Sequence, residues 1–456
     1  MRAPPRHDAL EGYRSSTFDD AITPDGELRP AAADVMRSVL GHDLAKLGAA
    51  VREDVHDLGI RFASVDGDDT WHVDPVPRVI ERDDWRTLAA GLEQRVRALN
   101  AFVADAYGAR RIVAEGALPA HVLDSTDALE PDVAALAPPD GVWIGVAGLD
   151  IVRDANGTWL VLEDNVRTPS GLGYWVAARA ATLRHLDVPE KLRPAPLDGV
   201  PGALRATLGT ASAAVLTDGP DNSAYWEHEW LARQMDVPLV TVPDLAVRDG
   251  RLWHDGTAIE ALYRRTDADR LDTPAGRFLQ PVLAAGGLKL VNCFGTGVAD
   301  DKLAHAHVPD IIRFYLGEEP LLEQVETFDL SEPDTLERAL DIFGELVIKD
   351  RSSSGGKGVT VCPHAEPAAV EALREEVRAH PEEYVAQRLV ELSTHPTEID
   401  GRLEPRHVDL RPYVVMHDRQ EAHALPGGIT RVALGEGALV VNSSQNGGAK
   451  DTWVLP

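Results

Sequence analysis

The segment VIKDRSSSGGKGVTV, residues 347–361, constrains the fold more than any other stretch of the chain. An apolar run ends in Lys349, a polar loop follows, and a second apolar run resumes at Val359. Two such runs around a Gly/Ser loop predict two strands joined by a hairpin. The loop holds Ser352, Ser353, Ser354, Gly355, Gly356, Lys357 and Gly358. Glycine has no Cβ, so backbone N–H groups here can close on phosphate oxygens while a flanking lysine neutralises charge. The order GxxxxGK[ST] is absent and a strand, not a helix, follows, which counts against a P-loop and a dinucleotide-binding turn. A plain flexible hairpin has the same composition, so the loop gains meaning only with other signals.

A second signal lies in GVWIGVAGLDIVRDANGTWLVLEDNVRTPSG, residues 141–171. The turn Asp154-Ala155-Asn156-Gly157 between two apolar runs predicts a β-hairpin. Residues i and i+2 of a strand share a face, so Glu163 and Asn165 project together and Asp164 points away. Asp150 sits on the preceding strand. Two carboxylates and an amide oxygen suit Mg²⁺, which keeps some waters and is completed by substrate phosphates. Arg167 and Ser170, just downstream, are placed to meet an anionic substrate, although polar residues at a strand end need no function. The third signal is RHVDLRPYVVM with GGITRVALGEGALVVNSSQNGGAKDTW. It supplies Arg411 on a strand, Arg431, a strand in GALVVNSSQ, and Asn442, Ser443, Ser444 and Lys450 in a polar loop. Guanidinium groups can stabilise a transferring phosphoryl group; a solvated ion pair is the plainer reading of any single one.

Between these signals, residues 211–292 alternate strand and helix: AAVLTDG, EHEWLARQM, the hairpin LAVRDGRLWH, IEALYRR and LKLVN. That pattern predicts an α/β layer. Asn222, Ser223, Tyr225 and Glu227 open its first helix, where an N-terminus can hold a carboxylate; an ordinary helix cap fits equally. DDWRTLAAGLEQRVRALNAFVADAYG predicts a long helix in an α-rich N-terminal part, and DDKLAHAHVPDIIRFYLG another helix further on. Lysine is rare, seven residues in all, and four of them, Lys302, Lys349, Lys357 and Lys450, fall in Gly-, Ser- or Asp-rich stretches of the last third.

Composition removes several classes. The 45 basic and 74 acidic side chains give a net charge of −29, which disfavours binding to nucleic acid or an anionic membrane. No apolar run approaches the about 20 residues of a membrane span, and the opening MRAPPRHDALEGYRSS lacks a signal-peptide core. A cytoplasmic protein is expected. The two cysteines, Cys293 and Cys362, form no CxxC or zinc spacing, and His305, His307 and His407 have no ligand spacing and read as structural.

Taken together, these residues resemble the ATP-grasp superfamily, and within it the circularly permuted branch that holds the type 2 proteins and glutathionylspermidine synthase-like ligases. In the ordinary order the metal ligands come last. Here Asp150, Glu163 and Asn165 precede the α/β layer, while Lys302, Lys349, the SSSGGKG flap, YVAQRLV and VDLR follow in the usual sequence. The motifs DNSAYWEHEWLARQM, GTGVADDK, LPGGITRVA and NSSQNGGAKDTWVL also look like that family's wording.

The resemblance implies an α/β (α+β) fold with five parts: an α-rich region in 1–135, permuted metal-binding strands in 136–205, a pre-ATP-grasp α/β domain in 206–300, the flap-bearing subdomain in 301–395 and the remaining strands in 396–456. It implies that Lys302 and Lys349 contact ATP phosphates, that Ser353, Ser354, Gly355, Gly356, Lys357 and Gly358 cover them, and that the strand around Gln387 and Arg388 faces adenine. Asp150, Glu163 and Asn165 would hold Mg²⁺. Arg411, with Arg431 and Arg167, would stabilise the γ-phosphoryl group or an acyl phosphate.

Ser170, Asn222, Ser223, Tyr225, Glu227, Asn442, Ser443, Ser444 and Lys450 would line the substrate. The implied activity is an ATP- and Mg²⁺-dependent carboxylate–amine ligase acting through an acyl phosphate and releasing ADP, with small-molecule or peptide substrates. A homo-oligomer or a partner protein stays open. A non-catalytic ATP-binding subunit and a small-molecule kinase on the same scaffold are the alternatives. Gly148 stands where glutathionylspermidine synthetases carry a catalytic Arg, and no amidase domain is present, so spermidine and glutathione are not implied as substrates.

Overall fold

In the computed structural model, the chain is described over residues 8–60, 71–266, 269–351, 353, 358–435, 437–438 and 447–456. Its centre is a five-stranded sheet in the order Val73–Ile80, Gly448–Val454, Ala422–Val432, Arg411–Met416, Val146–Gly148. The first pair is parallel and the others are antiparallel. Both faces are covered, which is why RPYVVM reads as a continuous apolar run. Val414 and Met416 pack with Leu88, Leu92 and Leu99 of the helix Arg82–Ala106. Tyr413 and Val415 point the other way, into a core with Leu172 and Trp175 of the helix Leu172–His185.

A second sheet is wholly parallel, in the order Lys289–Val291, Ala261–Arg265, Ala213–Thr217, Leu239–Val240. The helices Tyr225–Met235 and Pro274–Ala284 make two of its crossovers. The hairpin at 150–163 forms as its turn requires: an Asp154 carboxylate oxygen accepts the N–H groups of Asn156 (2.9 Å) and Thr158 (2.8 Å). Ile151 and Leu410 exchange backbone hydrogen bonds, both 2.8 Å, which ties this hairpin to the strands at 411–432. The flap-bearing sheet is antiparallel, in the order Thr327–Asp329, Tyr384–Arg388, Leu346–Asp350, Val359–Val361.

The strand expected in GALVVNSSQ lies largely outside the described residues. Three features differ from expectation. The segment Gly448–Val454, expected to begin in a polar loop, is a strand buried along its whole length. Lys450 therefore sits in the central sheet and not in a polar loop. DDKLAHAHVPDIIRFYLG is two helices, Lys302–Ala306 and Val308–Leu316, because Pro309 lacks an N–H and fits only a first turn. The α-rich N-terminal part also gives the central sheet its edge strand, Val73–Ile80. Among the described residues, no helix is long and apolar enough to cross a membrane.

Candidate active site

Asp150 opens one strand of the hairpin and stands opposite Glu163 at the end of the other. Arg411 grips Asp150 with a two-pronged contact, Nε to Oδ1 at 2.7 Å and Nη2 to Oδ2 at 2.9 Å. Arg431 reaches the same carboxylate at 2.8 Å and also binds Asp409, Nε to Oδ2 at 2.9 Å. Burial pushes the Asp150 carboxyl up, but the Arg411 and Arg431 guanidiniums outweigh it and hold it down at about 2. Glu163 is also held below the usual carboxylate range: burial opposes ionisation, and the Lys349 ammonium at 3.0 Å from Oε1 overcomes it. Arg411 comes from a strand 261 residues further along the chain than Asp150, so folding alone assembles this cluster.

Asp164 points away from it, as strand alternation requires. Arg95 forks onto Asp164 at 2.6 and 2.7 Å, and His305 Nδ1 lies 2.7 Å from it. Asn165 follows two residues after the strand ends at Glu163, and its buried Nδ2 has no hydrogen-bond partner. An amide without a protein partner is free to turn its oxygen to a cation. Asp150, Glu163 and Asn165 carry oxygen donors of the kind a hard divalent ion takes, and both Asp150 oxygens accept from arginines.

Lys302 begins the helix Lys302–Ala306, after Asp301 caps it. Its ammonium donates to the carbonyls of Arg351 (3.3 Å) and Ser353, at the base of the flap. Burial lowers its pKa, against the pull of Glu163. Ser353 Oγ donates to Asp350 at 3.0 Å. Gly358 adopts φ +67°, where a Cβ would stand 2.9 Å from Ser353 Oγ. Ser354, Gly355, Gly356 and Lys357 lie outside the described residues. Gln387 is buried and donates to Thr327 Oγ1 at 3.0 Å, with the carbonyl of Leu162 at 3.5 Å. Arg388 does not join it: strand alternation turns it outward to Glu326 (3.2 Å), with 44% of its side chain exposed.

The expected substrate residues separate into groups. Ser170 is held inside the cluster: its carbonyl accepts from Arg411 (3.3 Å) and Tyr413 (3.0 Å), and its hydroxyl accepts from Arg265 (2.5 Å). Arg167 pairs with Asp300 at 3.0 Å, which raises its pKa and ties the loop after Asn165 to the segment before Lys302. Asn222 is buried and uses Oδ1 on the Ala224 N–H (2.9 Å), while its Nδ2 has no partner. Ser223 beside it is exposed and Tyr225 half-buried.

Glu227 is drawn into the interior and does not face a cleft. Its Oε1 accepts the N–H groups of Gly171 (2.9 Å) and Gly173 (2.8 Å), and Oε2 meets Arg265 at 3.3 Å. Lys450 is likewise spent on architecture, 2.8 Å from Asp74 and fully buried. Asn442, Ser443 and Ser444 lie outside the described residues.

Gly148 packs against Pro169 so closely that a Cβ would lie 2.7 Å from Pro169 Cβ. A larger side chain at this position would require Pro169 to shift. Sequence reading passed over four residues. Asp409 orients Arg431. Asn292 accepts the Gly145 and Val146 N–H groups at 2.7 and 2.8 Å and so joins the end of the parallel sheet to the central-sheet strand Val146–Gly148. Arg265 links Ser170 to Glu227. Arg264, 1% exposed, has two terminal nitrogens without partners, and burial draws its pKa down to about 10. The signal was available: paired arginines ending an apolar strand of a parallel sheet, where ligands bind.

Comparison with known proteins gives one family and consistent relatives. The family described as circularly permuted ATP-grasp type 2 matches residues 77–433. A protein named putative glutamate–cysteine ligase 2-2 from Frankia casuarinae is 41% identical, over 98% of this chain and 54% of its own length. The chain therefore spans about half of that relative. A Synechocystis protein named uncharacterized protein sll0335 is 39% identical over 98% of both chains. A solved glutathione synthetase-like effector from Globodera pallida has a TM-score of 0.57 at 11% identity, covering 90% of this chain and 96% of its own. That likeness speaks to the fold. Asp150 and Arg411, which the fold brings together, both lie inside the matched region, and the chain belongs to the circularly permuted ATP-grasp type 2 family.

Proposed function

We propose that the chain is an ATP- and Mg²⁺-dependent carbon–nitrogen ligase that joins a small-molecule or peptide carboxylate to an amine in the cytoplasm. The observation that carries this reading is the meeting of two ion-paired groups, Asp150 with Arg411 and Arg431 at 2.7–2.9 Å and Glu163 with Lys349 at 3.0 Å, which the hairpin sets side by side by pairing Asp150 with Glu163. Family membership supports ATP use. The Frankia relative's name supports an amino-acid carboxylate and an amine as the substrate class. The proposal keeps the five-part division of the chain, with the metal strands in 136–205 and the flap in 301–395.

Asp150, Glu163 and Asn165 would hold the magnesium ion, which supplies charge neutralisation at the phosphate oxygens. Lys302 and Lys349 bind those oxygens, Lys349 exchanging its contact with Glu163 for one with the nucleotide. A substrate carboxylate oxygen attacks the γ-phosphorus, and ADP leaves with the electrons of the broken P–O bond. Arg411 and Arg431 offset the charge of the resulting acyl phosphate. The amine then attacks the acyl carbon, phosphate departs, and the amine loses a proton. Arg264 and Arg265, with Ser170, form the anion-holding wall at the end of the parallel sheet.

Hydroxylamine trapping tests the reading. Incubation with ATP, Mg²⁺ and a panel of amino-acid and peptide carboxylates is expected to give ADP and a hydroxamate. A stable phosphoester in its place would make the protein a kinase. Nucleotide binding without ADP release across the panel would favour a non-catalytic subunit.

A further inference from the structure

Four side chains that the proposed reaction leaves unused meet at a junction of four segments. His121 lies on the helix Ala120–Asp124, and His307 follows the helix Lys302–Ala306. Asp329 ends the strand Thr327–Asp329, and Glu332 caps the helix Pro333–Asp341. Both imidazoles aim Nε2 at the same oxygen: Asp329 Oδ2 is 2.7 Å from His121 and 3.0 Å from His307. The other ring nitrogen of His121 faces Glu332 at 3.7 Å. Ligand atoms of His121, Asp329 and Glu332 all lie within 4.8 Å of one another.

Metal bonds of about 2.0–2.2 Å put neighbouring ligand atoms about 3 Å apart; His121 Nε2 stands 2.7 Å from Asp329 Oδ2, and Glu332 lies inside the same 4.8 Å group. Imidazole nitrogen suits first-row ions such as Zn²⁺, whereas Mg²⁺ prefers an all-oxygen set. His307, 3.0 Å from Asp329, stands where a metal-bound carboxylate finds the partner that orients it. Asp329 is buried, but His121 is 30% and Glu332 48% exposed in their side chains, which leaves an approach from solvent. Spacing along the chain hides this group, because 186 residues separate the two histidines.

We propose that His121, Asp329 and Glu332 bind one zinc-class divalent ion, with His307 positioning Asp329 and water completing the shell. The ion would fasten the flap-bearing sheet to the body of the protein. Ser125, just after the His121 helix, accepts from Arg351 at 2.9 Å, and Arg351 holds Asp301 at 2.9 Å beside Lys302. The site thus braces the base of the flap, and it stands independently of the ligase reading.

The test is titration of chelator-stripped chain with Zn²⁺ by calorimetry and with Co²⁺ by visible absorption. One ion per chain is expected, with a Co²⁺ ligand-field spectrum of nitrogen and oxygen donors. Glu332→Gln and the solvent-side His121→Gln should each weaken binding by about tenfold or more, and His307→Ala by a smaller factor. Glu163→Gln should leave it unchanged. Wild type without tight Zn²⁺ binding, or binding that survives in His121→Gln and disappears in Glu163→Gln, would overturn the proposal. Circular dichroism of His121→Gln confirms that loss of binding is not loss of fold.

Discussion

Lys349 and Lys450 are both buried, both face a carboxylate at 3.0 and 2.8 Å, and both stood out in the sequence as phosphate- or substrate-facing lysines. Their surroundings differ. Lys450 has its ammonium on Asp74, the carbonyl of Pro396 (2.8 Å), Thr397 Oγ1 (3.2 Å) and His395 Nδ1 (3.0 Å). Asp74 in turn accepts the N–H groups of Val76 (3.0 Å) and Glu398 (2.6 Å). That pair is saturated and joins the central sheet to the strand Thr394–Ile399. Lys349 has one carboxylate partner, Glu163, and the Lys302 close to it is spent on flap carbonyls. A buried charge that uses every valence on its own fold is architecture. A buried charge with room to change partners can receive a ligand.

The largest expected effect breaks the architectural side. Lys450→Met leaves Asp74 buried without a counter-ion and should cost about 3–5 kcal/mol in urea unfolding, with ATP affinity of the folded fraction unchanged. A stable variant that has lost ATP would reverse the roles of the two lysines.

A smaller effect concerns acid. Asp150 titrates at about 2 in the folded chain against an ordinary 3.8, so the unfolded chain takes up the proton first as pH falls. Its contribution of about 2 kcal/mol is therefore complete above about pH 4 and lost as pH drops through about 2. The stability gap between wild type and Asp150→Asn should narrow by about that amount between pH 5 and 2. A constant gap would mean that Arg411 and Arg431 do not hold a charged Asp150.

The smallest effect sharpens the other side. Lys349→Ala should weaken ATP binding by about tenfold, equivalent to about 1.4 kcal/mol, while unfolding stability changes less than in Lys450→Met. Equal ATP affinity in calorimetry would remove Lys349 from the phosphate site.

Much of this arrangement was legible in the sequence where the signal is local. The Asp154 turn fixed the hairpin, Asp164 turned away from Glu163 to Arg95, and the Gly/Ser loop fell between two paired strands. What escaped depends on distant partners. Lys450 reads as a loop residue because GAKDTWV is polar, and only Asp74, on a strand at the far end of the sequence, makes its burial tolerable. Glu227 looks like a helix-opening ligand residue until the Gly171 and Gly173 N–H groups arrive from another helix. Arg264 and Arg265 were read only as the end of a strand, since their contacts come from the segments at 169–170, 227 and 292.

The central claim is that Asp150, Glu163 and Asn165 with the two lysines form a magnesium–nucleotide site. Thermal unfolding with ATP or a non-hydrolysable analogue, each with and without Mg²⁺, tests it most directly in wild type and Glu163→Gln. The account predicts a Mg²⁺-dependent rise in Tm for wild type that Glu163→Gln lacks. An equal rise in both proteins, or a rise indifferent to Mg²⁺, would contradict it.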